Sequence, residues 1–114
     1  MIGGPEIVAR ALALQGLGYN QAGQCNGLVW AALGQRNRGT AGAIWRDIRG
    51  PGLAFVRTWR LEPGMVLALP SHVAIVVDAA HHLVIDASQR LGVVSVHQAA
   101  YFWTDPQTVA GIPR

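Results

Sequence analysis

The half of the chain after Pro51 most restricts the fold. It carries five short runs of aliphatic and β-branched residues: Leu53–Thr58, Met65–Leu69, His72–Val77, His82–Ala87 and Gly92–His97. The breaks between them contain EPG, PS, DAAH and SQRL, each a few residues of turn-forming type. A parallel pairing needs a crossover of about a dozen residues, so strands joined this closely are expected to pair as antiparallel hairpins. The final stretch, YFWTDPQTVAGIPR, reads as a turn followed by a last strand at the sheet edge.

Before Pro51 the pattern is helical. Residues 5–15 form a first helix, with Pro5 at the first helical position, Glu6 at the positive end, and Ile7, Val8, Ala11 and Leu12 as a stripe. Gly16 and Gly18 stop it, and LGYNQAGQ is a loop. Residues 25–33 form a second helix, with Leu28, Val29, Ala32 and Leu33 on its apolar face and Gly34 as its stop. Thr40 caps a third, AGAIWRDI, which Gly50-Pro51 ends. Helices followed by an antiparallel sheet of about five strands define an α+β domain with the helices on one sheet face. At 114 residues the chain makes a single domain, 1–114, able to bury a core without metal or disulfide.

The composition narrows the partners. Apolar residues make up 51% and charged residues 13%, which is globular and far from disorder. All nine basic residues are Arg, the net charge is +3 and the pI about 10.0. They scatter from Arg10 to Arg114, with local pairs at Arg36/Arg38 and Arg57/Arg60. Nucleic-acid binding needs a denser basic stripe, so no nucleic-acid partner is expected. A mildly basic surface suits a polyanion such as a cell wall, and equally a plain solvated surface. The single Cys excludes an internal disulfide. MIGGPEIVAR lacks a basic region followed by an apolar core, so no signal peptide is expected, and no apolar run is long enough for membrane insertion. On this reading the protein is cytoplasmic unless a secretion system or phage delivers it to the wall or periplasm.

Cys25 is the first candidate for chemistry. A lone Cys is most often a small buried hydrophobe. This one follows a polar, Gly-containing loop and opens a helix, whose positive end favours thiolate. Its neighbours Gln24 and Asn26 are polar, and the apolar stripe starts only at Leu28. A thiolate nucleophile needs a base and a group to orient that base. His72 is the polar first residue of the run VAIVV, and Asp86 lies on the apolar strand HLVID, where a carboxylate is costly without a partner. Asp86 lies 14 positions after His72, an even spacing. The two share a sheet face if the hairpin loop is odd in length and face opposite ways if it is even.

His81 and His82 sit at the turn tip, about 17–20 Å along the strand from His72 at roughly 3.3 Å per residue, and are read as exposed. His97 ends a later strand and stands as a substitute for Asp86. The Cys25 N–H is the natural oxyanion donor. Tyr19 offers either a phenolic donor or ordinary packing. Trp30, Trp45, Trp59 and Trp103 read as core or rim aromatics. No metal motif or phosphate loop is present, and no cofactor is expected.

In order, these motifs resemble the NlpC-type family of bacterial cell-wall endopeptidases, a papain-like group. GYNQAGQCNGLVW matches its Tyr-containing loop and Cys-bearing helix. LEPGMVLAL matches its Pro-Gly-Asp strand, SHVAIVV its Ser-His-Val-Gly-Ile strand, and VIDAS the strand with the third polar residue. The match runs from about Tyr19 to Val96. It departs at Gln24 and Asn26, which replace Asp and Ser, at Met65, which replaces Asp, and at Asp86, where His is frequent. The resemblance implies a papain-like fold with Cys25 as nucleophile, His72 as base and Asp86 as orienter, and Tyr19, Gln24 and Asn26 around the cleft. It implies cleavage of a stem-peptide amide in peptidoglycan, at γ-D-glutamyl-diaminopimelate. A delivered effector toxin or phage-tail component would fit, the former with an immunity protein to plug its cleft. Two rivals stay open: the same scaffold as another amidase, acyltransferase or deamidase, or a catalytically inactive wall-binding module.

Overall fold

The computed structural model describes residues 3–114. Three helices come first: α1 (Gly4–Leu12), α2 (Gln24–Ala32) and α3 (Ala41–Arg49). Five strands follow: β1 (Phe55–Thr58), β2 (Val66–Leu69), β3 (His72–Asp78), β4 (Leu83–Ala87) and β5 (Val94–Gln98). A short helix, α4 (Tyr101–Thr104), and β6 (Val109–Pro113) close the chain. The α+β class and the three N-terminal helices match the sequence reading. Helix α1 ends at Leu12, short of residue 15, because the chain tightens there into i→i+3 turns: Leu14 N–H bonds Ala11 O and Gln15 N–H bonds Leu12 O. Thr40 caps α3 as expected, its Oγ1 accepting from Ala43 N–H at 3.2 Å.

The strands form one antiparallel sheet in the order β1-β6-β2-β3-β4-β5. Six strands, rather than about five, are present, and β6 is an interior strand rather than an edge. It lies between β1 and β2, so the EPG link joins strands that do not pair. In that interior place Gly111 has a packing role. A Cβ there would come within 2.8 Å of the Ile48 side chain and 3.2 Å of the Phe55 Cβ, so only glycine lets α3 and β1 approach so closely.

Alternation along the strands makes two apolar layers. Val66, Ala68, Val73, Ile75, Ile85 and Ala87 pack with Ile7, Leu28, Val29, Ile44 and Ile48 from α1, α2 and α3. Each large side chain here contributes roughly 1.5–3 kcal/mol by leaving water. The opposite set, Leu67, Leu69, Ala74, Val76 and Val84, packs on Phe102 of α4. Helices therefore cover both faces, a correction to the one-sided layout. At four residues, α4 is too short to show a helical period.

The β3–β4 hairpin carries the register on which the site depends. Asp78 pairs with Leu83, leaving the four residues 79–82 as its turn, an even number. Unmodified, that turn would put His72 and Asp86 on opposite faces. A bulge at Val77 inserts one residue, so that Val76 pairs with Val84 and Ile75 with Ile85. Extending the ladder sets Asp86 opposite Ala74, on the same face as His72. Deleting Val77 should therefore either strip Asp86 of its partner or turn Ile85 and Ala87 out of the helix-side core. The expected loss is about 3–5 kcal/mol, the usual cost of orphaning a buried charge, read as a lower urea midpoint. Unchanged stability would show that the bulge does not set the register.

Candidate active site

The loop before α2 is tied to the start of β5. Gly16 N–H bonds Val94 O, Val94 N–H bonds Leu17 O, and Tyr19 N–H bonds Gly92 O at 2.8 Å. Gly23 and Gln24 then take positive φ values of 78° and 67°, turning the chain into α2 with Gln24 N–H on Tyr19 O. For Gln24 this left-handed backbone costs roughly 1–2 kcal/mol, and the strain falls on the residue before Cys25. Gly27 lets the loop lie on the helix, since a Cβ there would collide with Ala22 O.

Cys25 sits in the first turn of α2, 5% exposed. Its sulfur meets the His72 imidazole and the N–H groups of Val73 and Asn26. His72 opens β3 and stacks on Phe102 at 5.8 Å between centroids. Its Nε2 lies 2.6 Å from Asp86 Oδ2, which leaves Nδ1 for the thiol. Asp86 is 0% exposed. Its second oxygen, Oδ1, lies 2.6 Å from His97 Nε2, and His97 Nδ1 is 3.1 Å from Gln98 O. Ser95, opposite Asp86 on β5, has a buried hydroxyl without a partner among the described residues. The two imidazoles thus hold the carboxylate.

These contacts shift the titrations. Burial pushes the Cys25 thiol up, but the hydrogen bond to His72, the Val73 and Asn26 N–H groups and the His72 charge outweigh it, and the net direction is down. Burial likewise pushes His72 down, but its bonds to Asp86 and Cys25 and their negative charges lift it to about 9. Both shifts run toward the thiolate–imidazolium pair. Burial, followed by the charges of Asp86 and Cys25, raises Tyr101 to about 12, and burial with the Cys25 charge raises Tyr19. Both phenols remain donors.

Cys25, His72 and Asp86 meet as the sequence suggested. His97 joins Asp86 instead of replacing it. Tyr19 packs beside Cys25, and Gln24 is exposed at the turn. Asn26 is drawn away from the cleft: its Nδ2 donates to Asn37 Oδ1 at 3.2 Å and to Gly39 O at 3.0 Å, tying α2 to the following loop. His81 is exposed and bonded to Asp78, whereas His82, read as exposed, stacks on Trp103 at 4.6 Å. Trp30 is in the core and Trp45 on the rim, but Trp59 is 79% exposed. Tyr101 was missed, because YFWT carries no signal beyond an aromatic turn. Among the described residues no group of three or more His, Cys, Asp or Glu is arranged to hold a metal; the two imidazole Nε2 atoms meet separate carboxylate oxygens. No helix among them is long and apolar enough to cross a membrane.

No family model, curated protein or solved structure matches the chain.

Two outcomes follow from the shifted pair. Iodoacetamide should alkylate Cys25 faster at about pH 7 than an ordinary thiol, and Asp86→Asn should slow it at least about tenfold, the effect of one pKa unit. Equal rates would remove Asp86 from the pair. The folded value of His72 lies above its ordinary 6.5, so its stabilising share is full below 6.5 and lost as pH rises through about 9. The urea-midpoint gap between wild type and His72→Ala should therefore narrow above pH 9, and a gap that widens there would contradict the raised value.

Proposed function

We propose that the protein is a papain-like cysteine hydrolase of the NlpC type, cutting an amide bond in peptidoglycan stem peptides. One observation carries this reading: a fully buried carboxylate holds His72 by Nε2 and leaves its other nitrogen to a thiol at a helix N-terminus. A structural cysteine needs none of these partners.

The Cys25 thiolate attacks the amide carbonyl carbon. The developing oxyanion is met by the Cys25 N–H, which precedes the first intrahelical bond of α2, with the Tyr101 phenol on the cleft beside His72 as a second donor. The His72 imidazolium gives its proton to the leaving nitrogen, the C–N bond breaks, and a thioester remains on Cys25. Water then attacks the thioester with His72 taking its proton, and the C–S bond breaks to free the acid and the thiolate.

The substrate class draws on the resemblance and on the cleft. A cleft of about 600 Å³ is lined by His72, His97, Ser88, Arg90 and Tyr101 among others. Arg90 suits an acyl group with a free carboxylate beside the scissile bond, as a γ-linked D-glutamyl residue has. A wall substrate agrees with the basic surface. Delivery as an effector toxin or phage-tail component, with an immunity protein over the cleft in the toxin case, belongs to the same proposal.

The test is mass spectrometry of diaminopimelate-type muropeptides incubated with wild type and with Cys25→Ala. Expected are two fragments from one amide bond with wild type and none with the variant. Intact muropeptides in both would remove this substrate class, and fragments in both would remove Cys25.

A further inference from the structure

The pairing of Cys25, His72 and Asp86 leaves His97 unexplained. It is the only other side chain that bonds the Asp86 carboxylate among the described residues. Its place follows from sheet register: β5 pairs with β4 so that Ser95 faces Asp86 and His97 faces Val84, which puts His97 one diagonal step from Asp86 on the same face. Both of its ring nitrogens meet acceptors. Gln98 O is a carbonyl and only accepts, so Nδ1 carries a hydrogen; an ionised Asp86 also only accepts, so Nε2 must carry one as well. The ring that satisfies both is the imidazolium.

Charge balance leads to the same state. A thiolate, an imidazolium at His72 and a carboxylate at Asp86 sum to one negative charge, with Asp86 fully buried. A cation at His97 makes the set neutral, which spares the cost of an isolated buried charge. His97 bonds Asp86 from β4 and the Gln98 carbonyl on β5, and shares its cleft with His72 from β3, Arg90 from the β4–β5 loop and Tyr101 from α4.

We propose that His97 is a positioning residue that donates to Asp86 Oδ1 as a cation, holding the carboxylate ionised and turned onto His72 so that Cys25 is kept as thiolate. The inference rests on the reading of Cys25 and His72 as nucleophile and base.

The experiment follows the thiolate absorbance near 240 nm against pH in wild type, His97→Leu and His97→Gln, and needs no substrate. Losing the donor and the charge should raise the Cys25 midpoint by a unit or more, a tenfold loss of thiolate on the acid limb. Gln, which keeps an N–H for Oδ1, should recover part of that shift. A wild-type midpoint at the ordinary thiol value would overturn the nucleophile–base reading together with the role of His97. A low wild-type midpoint unchanged in His97→Leu would overturn the His97 role alone. If His97→Leu does not fold, ¹⁵N NMR of wild type at about pH 7 decides. Protonated shifts at both His97 ring nitrogens support the proposal, and one unprotonated nitrogen overturns it.

Discussion

A carboxylate with no exposure to water must be met by donors, and the Asp86 carboxylate depends on two imidazoles. An ion of this size loses several kcal/mol of hydration on burial even after the protein relaxes around it. Two hydrogen bonds of 2.6 Å to charged or chargeable rings are the kind of compensation that offsets such a loss. Much of the fold answers to that requirement. The bulge at Val77 turns Asp86 to the face of His72, the β4–β5 register brings His97 alongside, and α4 lays Phe102 against the His72 ring.

The nucleophile reaches this cluster from the other layer of the domain. Cys25 belongs to the helix-side core, whereas His72, Asp86 and His97 lie on the face shared with α4. They meet at the start of β3, where the Val73 N–H reaches the sulfur. Getting the thiol there takes an unusual loop: two successive left-handed residues and a glycine pressed against Ala22 O. The local backbone cost at Gln24 is balanced by the tie from Gln24 N–H to Tyr19 O and by the helix packing behind it. A helix N-terminus and a neighbouring imidazolium then act together on one sulfur, both favouring its anion.

Much of this was legible in the residues. The three helices and the first five strands follow from periodicity and turn chemistry, and their ends moved by a few residues. His72 and Asp86 stood out because each is polar on an apolar strand, and Cys25 because it opens a helix between polar neighbours, ahead of the apolar stripe. What could not be read depends on contacts between distant segments. The insertion of β6 between β1 and β2 rests on Gly111 lying beneath Ile48 and Phe55, which no local pattern reveals. The bulge at Val77 has no glycine to mark it, so the parity of the hairpin stayed open. His97 joins Asp86 only once the β4–β5 register is known, and Asn26, polar and next to Cys25, is captured by a loop carbonyl at Gly39.

The central claim is that Cys25 forms a covalent bond to an acyl group. It is tested most directly by intact-protein mass spectrometry of enzyme quenched in acid during incubation with muropeptides. The expected result is an adduct on Cys25 equal to the acyl half of the cleaved peptide, accumulating in wild type and absent in Cys25→Ala. Cleavage products that form while Cys25 stays unmodified at every time point would contradict it.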